Sequence, residues 1–171
     1  MDKLAKIKMV IADVDGVLTD SSITLDFEGN ESKTFNARDG SGIKFLQRVG
    51  IKFAIISGRY SSAVDVRAKE LNIKDVYQNA KKKVDVYEKI ISEHDLKDEE
   101  VCFIGDDLVD IPVLRKVGFS VGVADAVTDV LDIVDYVTST PGGKGAVREV
   151  VEKIIKSQGK WDEITTGYFK D

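Results

Sequence analysis

Apolar positions in this chain recur in two rhythms, short unbroken runs and helical stripes. Met9 to Ala12 is a run of four, the pattern of a strand covered on both faces at the centre of a parallel sheet. Ile23, Leu25 and Phe27 then alternate with Thr24 and Asp26, Glu28-Gly29-Asn30 turns, and Lys33-Thr34-Phe35 runs back, which predicts a β-hairpin over about residues 21–35. From Ser41 the spacing Ile43, Leu46, Val49 is helical and stops at Gly50. Further strands are expected at Lys52–Ile56, Val76–Gln78, Val101–Ile104, Phe119–Val123 and Tyr136–Thr138. Between them lie helical faces carrying Val64, Ala68 and Leu71; Val84, Tyr87 and Ile91; Leu114 and Val117 behind Pro112; and Val127, Val130, Leu131 and Val134. A last helix, Ala146–Lys156, presents Val147, Val150, Val151, Ile154 and Ile155 as one amphipathic stripe for core packing.

Strands alternating with helices at these lengths predict an α/β fold, a doubly wound, Rossmann-like and mostly parallel sheet. No repeat or linker divides residues 1–171, so one domain is expected, with the small hairpin as its insertion. The tail, about 158–171 with Trp161, Tyr168 and Phe169, is too polar for a core element; it is expected either to fray or to dock over a neighbouring subunit.

Composition narrows the possible functions. Of 171 residues, 43% are hydrophobic and 32% charged, ordinary for a globular chain, and the net charge of −5 argues against a nucleic-acid binder. No apolar run approaches the ~20 residues of a membrane span and the start lacks a signal-peptide core, so a cytoplasmic protein without membrane association is expected. The single cysteine, Cys102, sits in an apolar run and reads as an inert thiol; the single histidine, His94, reads as solvated surface.

The chemistry is concentrated where strands end. Asp13 and Asp15 follow the first run two apart, with Gly16 allowing a sharp turn; a helix cap would explain one of these acids but not both. Ser57-Gly58-Arg59 follows a second run, and Asp106, Asp107 and Asp110 a third. In a doubly wound sheet these ends share one rim, where sites form. Carboxylates from two strands suit Mg²⁺, a hard ion taking oxygen ligands, while a hydroxyl, a lysine and helix N-termini suit a phosphate.

The stretch Asp13-Val14-Asp15-Gly16-Val17-Leu18-Thr19-Asp20, Ser57-Gly58-Arg59, a lysine near position 83, and Gly105-Asp106-Asp107-Leu108-Val109-Asp110 resemble the four motifs of the haloacid dehalogenase superfamily of phosphatases. Phe35–Gly40, Val123–Ala126 and Gly142–Glu149 resemble the branch acting on 3-deoxy-D-manno-octulosonate 8-phosphate, a step toward a lipopolysaccharide precursor, and the similarity runs from about Lys8 to Glu163. The resemblance implies Asp13 as a nucleophile forming an aspartyl-phosphate and Asp15 as general acid, then base. It implies Mg²⁺ held by Asp13, the main-chain carbonyl of Asp15, and Asp106, with Asp107 and Asp110 as outer supports. Ser57, Gly58 and Lys83 would bind phosphate, Lys83 being chosen over its neighbours Lys81 and Lys82. Asn79 stands where relatives often carry glycine. Arg59 would take the sugar-acid carboxylate, or else form a surface ion pair.

Cap domains of this superfamily are inserted after the first motif or between the second and third; neither interval has room for one here. The hairpin's apolar residues are therefore expected to be covered by self-association, and the resemblance implies a homotetramer assembled through these hairpins, in which neighbouring subunits help close each site. The alternatives are a phosphatase for 2-keto-3-deoxynononate 9-phosphate or another sugar phosphate, a receiver-like switch domain, and a non-catalytic oligomerisation domain. Arg59 speaks against the nine-carbon substrate, whose branch tends to carry glutamate there, and Ser57 stands where a receiver keeps its acceptor aspartate.

Overall fold

The computed structural model describes residues 3–169. In chain order its main elements are β1 (Met9–Ala12), β2 (Thr24–Leu25), β3 (Glu31–Ser32), α1 (Ala37–Arg48), β4 (Lys52–Ile56), α2 (Ser62–Glu70), β5 (Asp75–Tyr77), α3 (Lys83–Glu93), β6 (Val101–Gly105), α4 (Ile111–Leu114), β7 (Phe119–Gly122), α5 (Thr128–Leu131), β8 (Tyr136–Val137), α6 (Ala146–Ser157) and α7 (Trp161–Thr165). Six of the strands form one parallel sheet in the order β5-β4-β1-β6-β7-β8. Met9 lies opposite Lys52 on one side and Val101 on the other, so β1 is central and its four side chains are inaccessible to solvent. Such burial requires cover on both faces. Helix α1 packs along α6, and α3 along α4. The α6 stripe is wholly buried from Val147 to Ile155, each such side chain contributing about 1.5–3 kcal/mol of transfer free energy.

Element boundaries differ from the expectation where side chains rather than periodicity set them. Helix α1 begins at Ala37, ahead of Ser41, because Asn36 caps it: its side-chain oxygen accepts from the Arg38 N–H at 2.8 Å and the Asp39 N–H at 3.4 Å. Strand β5 stops at Tyr77, and Gln78 turns instead to hold Ser61, accepting from its N–H at 2.8 Å and donating to its carbonyl at 3.2 Å. The hairpin ladder is only Thr24–Ser32 and Leu25–Glu31, and Asp26 secures its turn by accepting from the N–H groups of Glu28 and Asn30. Between Asp20 and Asp39 the described chain holds this hairpin and the start of α1, and between Arg59 and Lys83 it holds α2 and β5.

The tail folds onto its own chain. Trp161 meets the Phe45 ring edge-on at 6.2 Å, Tyr168 lies 6.1 Å from the same ring, and the Tyr168 hydroxyl accepts from Arg48 at 3.1 Å. Residues 161–168 therefore pack against α1 of their own chain; 170–171 lie outside the described residues. Nor is His94 solvated surface. It bridges Lys52, whose Nζ is 2.7 Å from Nδ1, and Asp75, whose Oδ1 is 3.1 Å from Nε2. Cys102 is buried as expected, and that burial pushes its thiol pKa up, away from reactivity.

Candidate active site

The rim at the carboxyl ends of β4, β1 and β6 gathers the acidic and phosphate-type residues. Asp13 follows β1 directly and donates its N–H to the Ile104 carbonyl at 3.1 Å, so the ladder to β6 extends into the site. The chain then turns through Asp15 and Gly16, the latter at φ +93°. Thr19 locks the turn: its hydroxyl donates to the Val14 carbonyl and accepts from the N–H groups of Gly16 and Ser21. A side chain at Gly16 would overlap the Asp106 carboxylate, and one at Gly105 would lie 2.7 Å from the Asp110 carboxylate. Two glycines thus make room for two acids.

Each of Asp13, Asp106 and Asp110 brings one carboxylate oxygen to within 4.8 Å of the other two. Lys83, at the first turn of α3, reaches between them with Nζ 2.7 Å from Asp13 Oδ2 and 2.7 Å from Asp110 Oδ1. Of the three adjacent lysines it is the buried one; Lys81 and Lys82 are exposed. Asp110 is fully committed: its second oxygen accepts from the N–H groups of Asp106 at 3.0 Å and Asp107 at 3.3 Å. Asp107 is exposed, and its side chain accepts from Leu108 N–H at 2.7 Å as a turn cap.

Electrostatics set this cluster apart. Burial, with Asp110 next, pushes Asp13 up to about 7 against the pull of Lys83. Burial, then Asp13 and Asp110, pushes Asp106 up to about 8. Burial on its own would lower the Lys83 ammonium, but the two carboxylates beside it outweigh that and raise it. When ionised, three acids against one lysine leave two excess negative charges. Asp106 Oδ1 is buried without a hydrogen-bond partner among the described residues. An all-oxygen donor set, two uncompensated charges and one idle buried oxygen fit a hard divalent cation such as Mg²⁺.

The remaining expected residues flank the cluster. Ser57 ends β4, buried, with its N–H donating to the Tyr77 carbonyl at 2.8 Å and its hydroxyl accepting from Arg59 N–H at 3.3 Å. Its carbonyl accepts from Ala80 N–H at 2.9 Å, pinning the β5–α3 loop beside Gly58. In that loop Asn79 adopts φ +57°, the left-handed conformation that a glycine takes without cost. The Asp15 carboxylate meets the hairpin. There Lys33 contacts Asp15 Oδ1, Arg59 Nη1 lies 3.9 Å from Asp15 Oδ2, and Arg59 also pairs with Glu31.

Lys33 and Glu31 are site residues that sequence reasoning missed, since a lysine and a glutamate in a polar hairpin carry no signal of burial. The glycine-rich loop after β8, singled out above only by its resemblance, also reaches the site. Gly142 packs against the Gly16 carbonyl so closely that no side chain fits, Gly143 N–H donates to the Val17 carbonyl at 2.9 Å, and Asp125 accepts from Gly142 N–H at 2.9 Å. These segments buttress the turn that carries Asp15.

Comparison with known proteins agrees with this geometry. The haloacid dehalogenase-like hydrolase family matches residues 38–118. The 3-deoxy-D-manno-octulosonate 8-phosphate phosphatase KdsC of Salmonella typhi is 43% identical over 163 residues, spanning 95% of this chain and 87% of its own. The crystal structure of the Yersinia pestis 3-deoxy-D-manno-octulosonate 8-phosphate phosphatase superposes with a TM-score of 0.92 at 42% identity, over 94% of this chain and 86% of that one. That of the Moraxella catarrhalis phosphatase, in complex with a magnesium ion, a phosphate ion and KDO, gives 0.95 at 38% identity, over 97% and 95%. With such likeness over nearly its whole length, the chain belongs to the haloacid dehalogenase-like hydrolases and, within them, to the 3-deoxy-D-manno-octulosonate 8-phosphate phosphatase family.

Proposed function

We propose that the chain is a Mg²⁺-dependent phosphomonoesterase that hydrolyses 3-deoxy-D-manno-octulosonate 8-phosphate to the free sugar acid and phosphate. The observation that carries this reading is the convergence of Asp13, Asp106 and Asp110 at one rim of the sheet, with the buried Lys83 paired to Asp13 and Asp110. In this reading Asp13, Asp106 and the Asp15 carbonyl hold Mg²⁺, and the bound ion offsets the repulsion between the Asp13 carboxylate and the phosphate dianion. That repulsion is about 4 kcal/mol per charge pair at ~4 Å and an effective dielectric of ~20, about three decades in rate.

An Asp13 oxygen attacks phosphorus as the ester P–O bond breaks, giving an aspartyl-phosphate, and Asp15 delivers a proton to the departing sugar oxygen. Asp15 then takes a proton from the water that attacks the aspartyl-phosphate, releasing phosphate and restoring Asp13. Ser57, the Gly58 turn and Lys83 hold the transferring phosphoryl group. Asp110 fixes Lys83 and the backbone of Asp106, Asp107 caps the loop that carries them, and Arg59 offers its guanidinium to the sugar-acid carboxylate.

The proposal extends to assembly and place of action. Ile23, Leu25 and Phe27 project from the hairpin, Phe27 98% exposed, and a homotetramer built through these hairpins would cover them and wall the open rim. The cytoplasm, where the lone Cys102 stays reduced, is its compartment. Phosphate release across a panel of sugar phosphates, including the eight- and nine-carbon keto-acid esters, with and without Mg²⁺, tests the substrate. Preference for the nine-carbon ester would refute that assignment.

A further inference from the structure

The hairpin carries a lysine that its surroundings do not explain. Its strands are exposed at Thr24, Leu25 and Ser32, yet the Lys33 side chain is 2% exposed. An ammonium is taken out of water only where carboxylates replace it, and Lys33 has two: Asp15 Oδ1 and Glu31 Oε1, the latter at 2.7 Å. Glu31 Oε2 pairs with Arg59, whose other nitrogen faces Asp15 Oδ2 at 3.9 Å. Asp15, Lys33, Glu31 and Arg59 therefore close a ring of alternating charge spanning the turn after β1, the hairpin and the end of β4.

We propose that Lys33, held by Glu31, is a positioning residue for proton transfer by Asp15, and that through it the hairpin sets the orientation of that carboxylate. The inference rests on the role given to Asp15 above. Lys33 grips one oxygen of Asp15, and the second faces Arg59, whose Nη1 lies 3.9 Å away. Without the ammonium the carboxylate loses its fixed direction, and misdirected general-acid catalysis costs on the order of 10²-fold in rate.

The test compares Lys33→Met with wild type, both with Mg²⁺, on three esters: 3-deoxy-D-manno-octulosonate 8-phosphate, a hexose 6-phosphate lacking a carboxylate, and p-nitrophenyl phosphate, whose leaving group departs without a proton. The expected result is a fall in kcat/KM, which reports only the steps up to departure of the leaving group and so leaves out the water step that Asp15 serves on every ester, of about 10²-fold on both alkyl esters and of less than about threefold on the aryl ester. Asp15→Asn should show the same selectivity, and adding Lys33→Met to it should cost nothing further, because the lysine acts only through that carboxylate. Glu31→Gln should give a weaker form of the same pattern, about tenfold, and serves if Lys33→Met does not fold. Equal losses on all three esters, a loss confined to KM for the sugar acid, or additive effects of Lys33→Met and Asp15→Asn would overturn the proposal. Wild-type protein inactive on every ester would instead refute the phosphatase reading.

Discussion

Loading the site with Mg²⁺ should expel protons, and the amount follows from the geometry. Asp13, raised to about 7 by burial and then by Asp110, and Asp106, raised to about 8 by burial and then by Asp13 and Asp110, must both be ionised to ligate the ion. At about pH 9 both already are. At about pH 6 nearly two protons must leave first, which weakens the apparent affinity about a thousandfold, roughly 4 kcal/mol. Calorimetric titration with MgCl₂ in two buffers of different ionisation enthalpy reads both quantities, the affinity and the protons released. Between one and two protons should leave at neutral pH, and Asp106→Asn should release about one fewer and bind more weakly. An affinity constant within about threefold over that pH range, with no proton release, would refute the argument that the cluster is an acid-rich site awaiting a cation.

The same shifts govern stability. Because both native pKa values lie above the ordinary 3.8, the folded protein binds more protons than the unfolded one between about pH 4 and pH 8; without Mg²⁺ its Tm should fall as pH rises through that window, and Mg²⁺ should restore it, whereas a Tm rising with pH would contradict the assignment. Lys83→Met leaves Asp13 and Asp110 buried without their cation and should cost about 3–5 kcal/mol by urea denaturation together with turnover. Lys81→Met or Lys82→Met should be close to wild type in both, and loss of turnover in either would move the phosphate lysine. In the homotetramer proposed above, Phe27→Asp should break the assembly seen for wild type in sedimentation velocity without lowering the Tm of the subunit, since the Phe27 side chain is almost wholly exposed; monomeric wild type would refute the proposed assembly, and a variant as associated as wild type would remove the hairpin from the interface.

Much of this architecture is legible in the chain because burial leaves an unambiguous trace. Strands β1, β4 and β6 are covered on both faces and so appear as unbroken apolar runs, and acids placed directly after such runs announce a site. What stays hidden depends on contacts distant in sequence. Lys33 reads as solvated until its partner Asp15, eighteen residues earlier, is seen beside it. Asn36 starts α1 through a cap over a stretch with almost no apolar positions to count. Gly142 and Gly143 stand out in the sequence only through the resemblance of Gly142–Glu149 to the phosphatase branch, and the reason for their small size, that the chain presses there on the Gly16 turn, is visible only in the fold. Lys83 differs from Lys81 and Lys82 in being the first residue of α3, a start that the fold of the preceding loop decides, with Asn79 in the left-handed conformation. The tail is harder still, since two of its three aromatic side chains, Trp161 and Tyr168, find Phe45, which lies more than a hundred residues away.

The central claim is that a carboxylate attacks phosphorus with Mg²⁺ alongside it. Inorganic phosphate released from 3-deoxy-D-manno-octulosonate 8-phosphate by wild type and by Asp13→Asn, each with MgCl₂ or with EDTA, tests it most directly. The account predicts turnover only in wild type with Mg²⁺, and a loss of roughly 10³-fold or more in the variant. Turnover by Asp13→Asn at the wild-type rate, or wild-type turnover undiminished in EDTA, would contradict it.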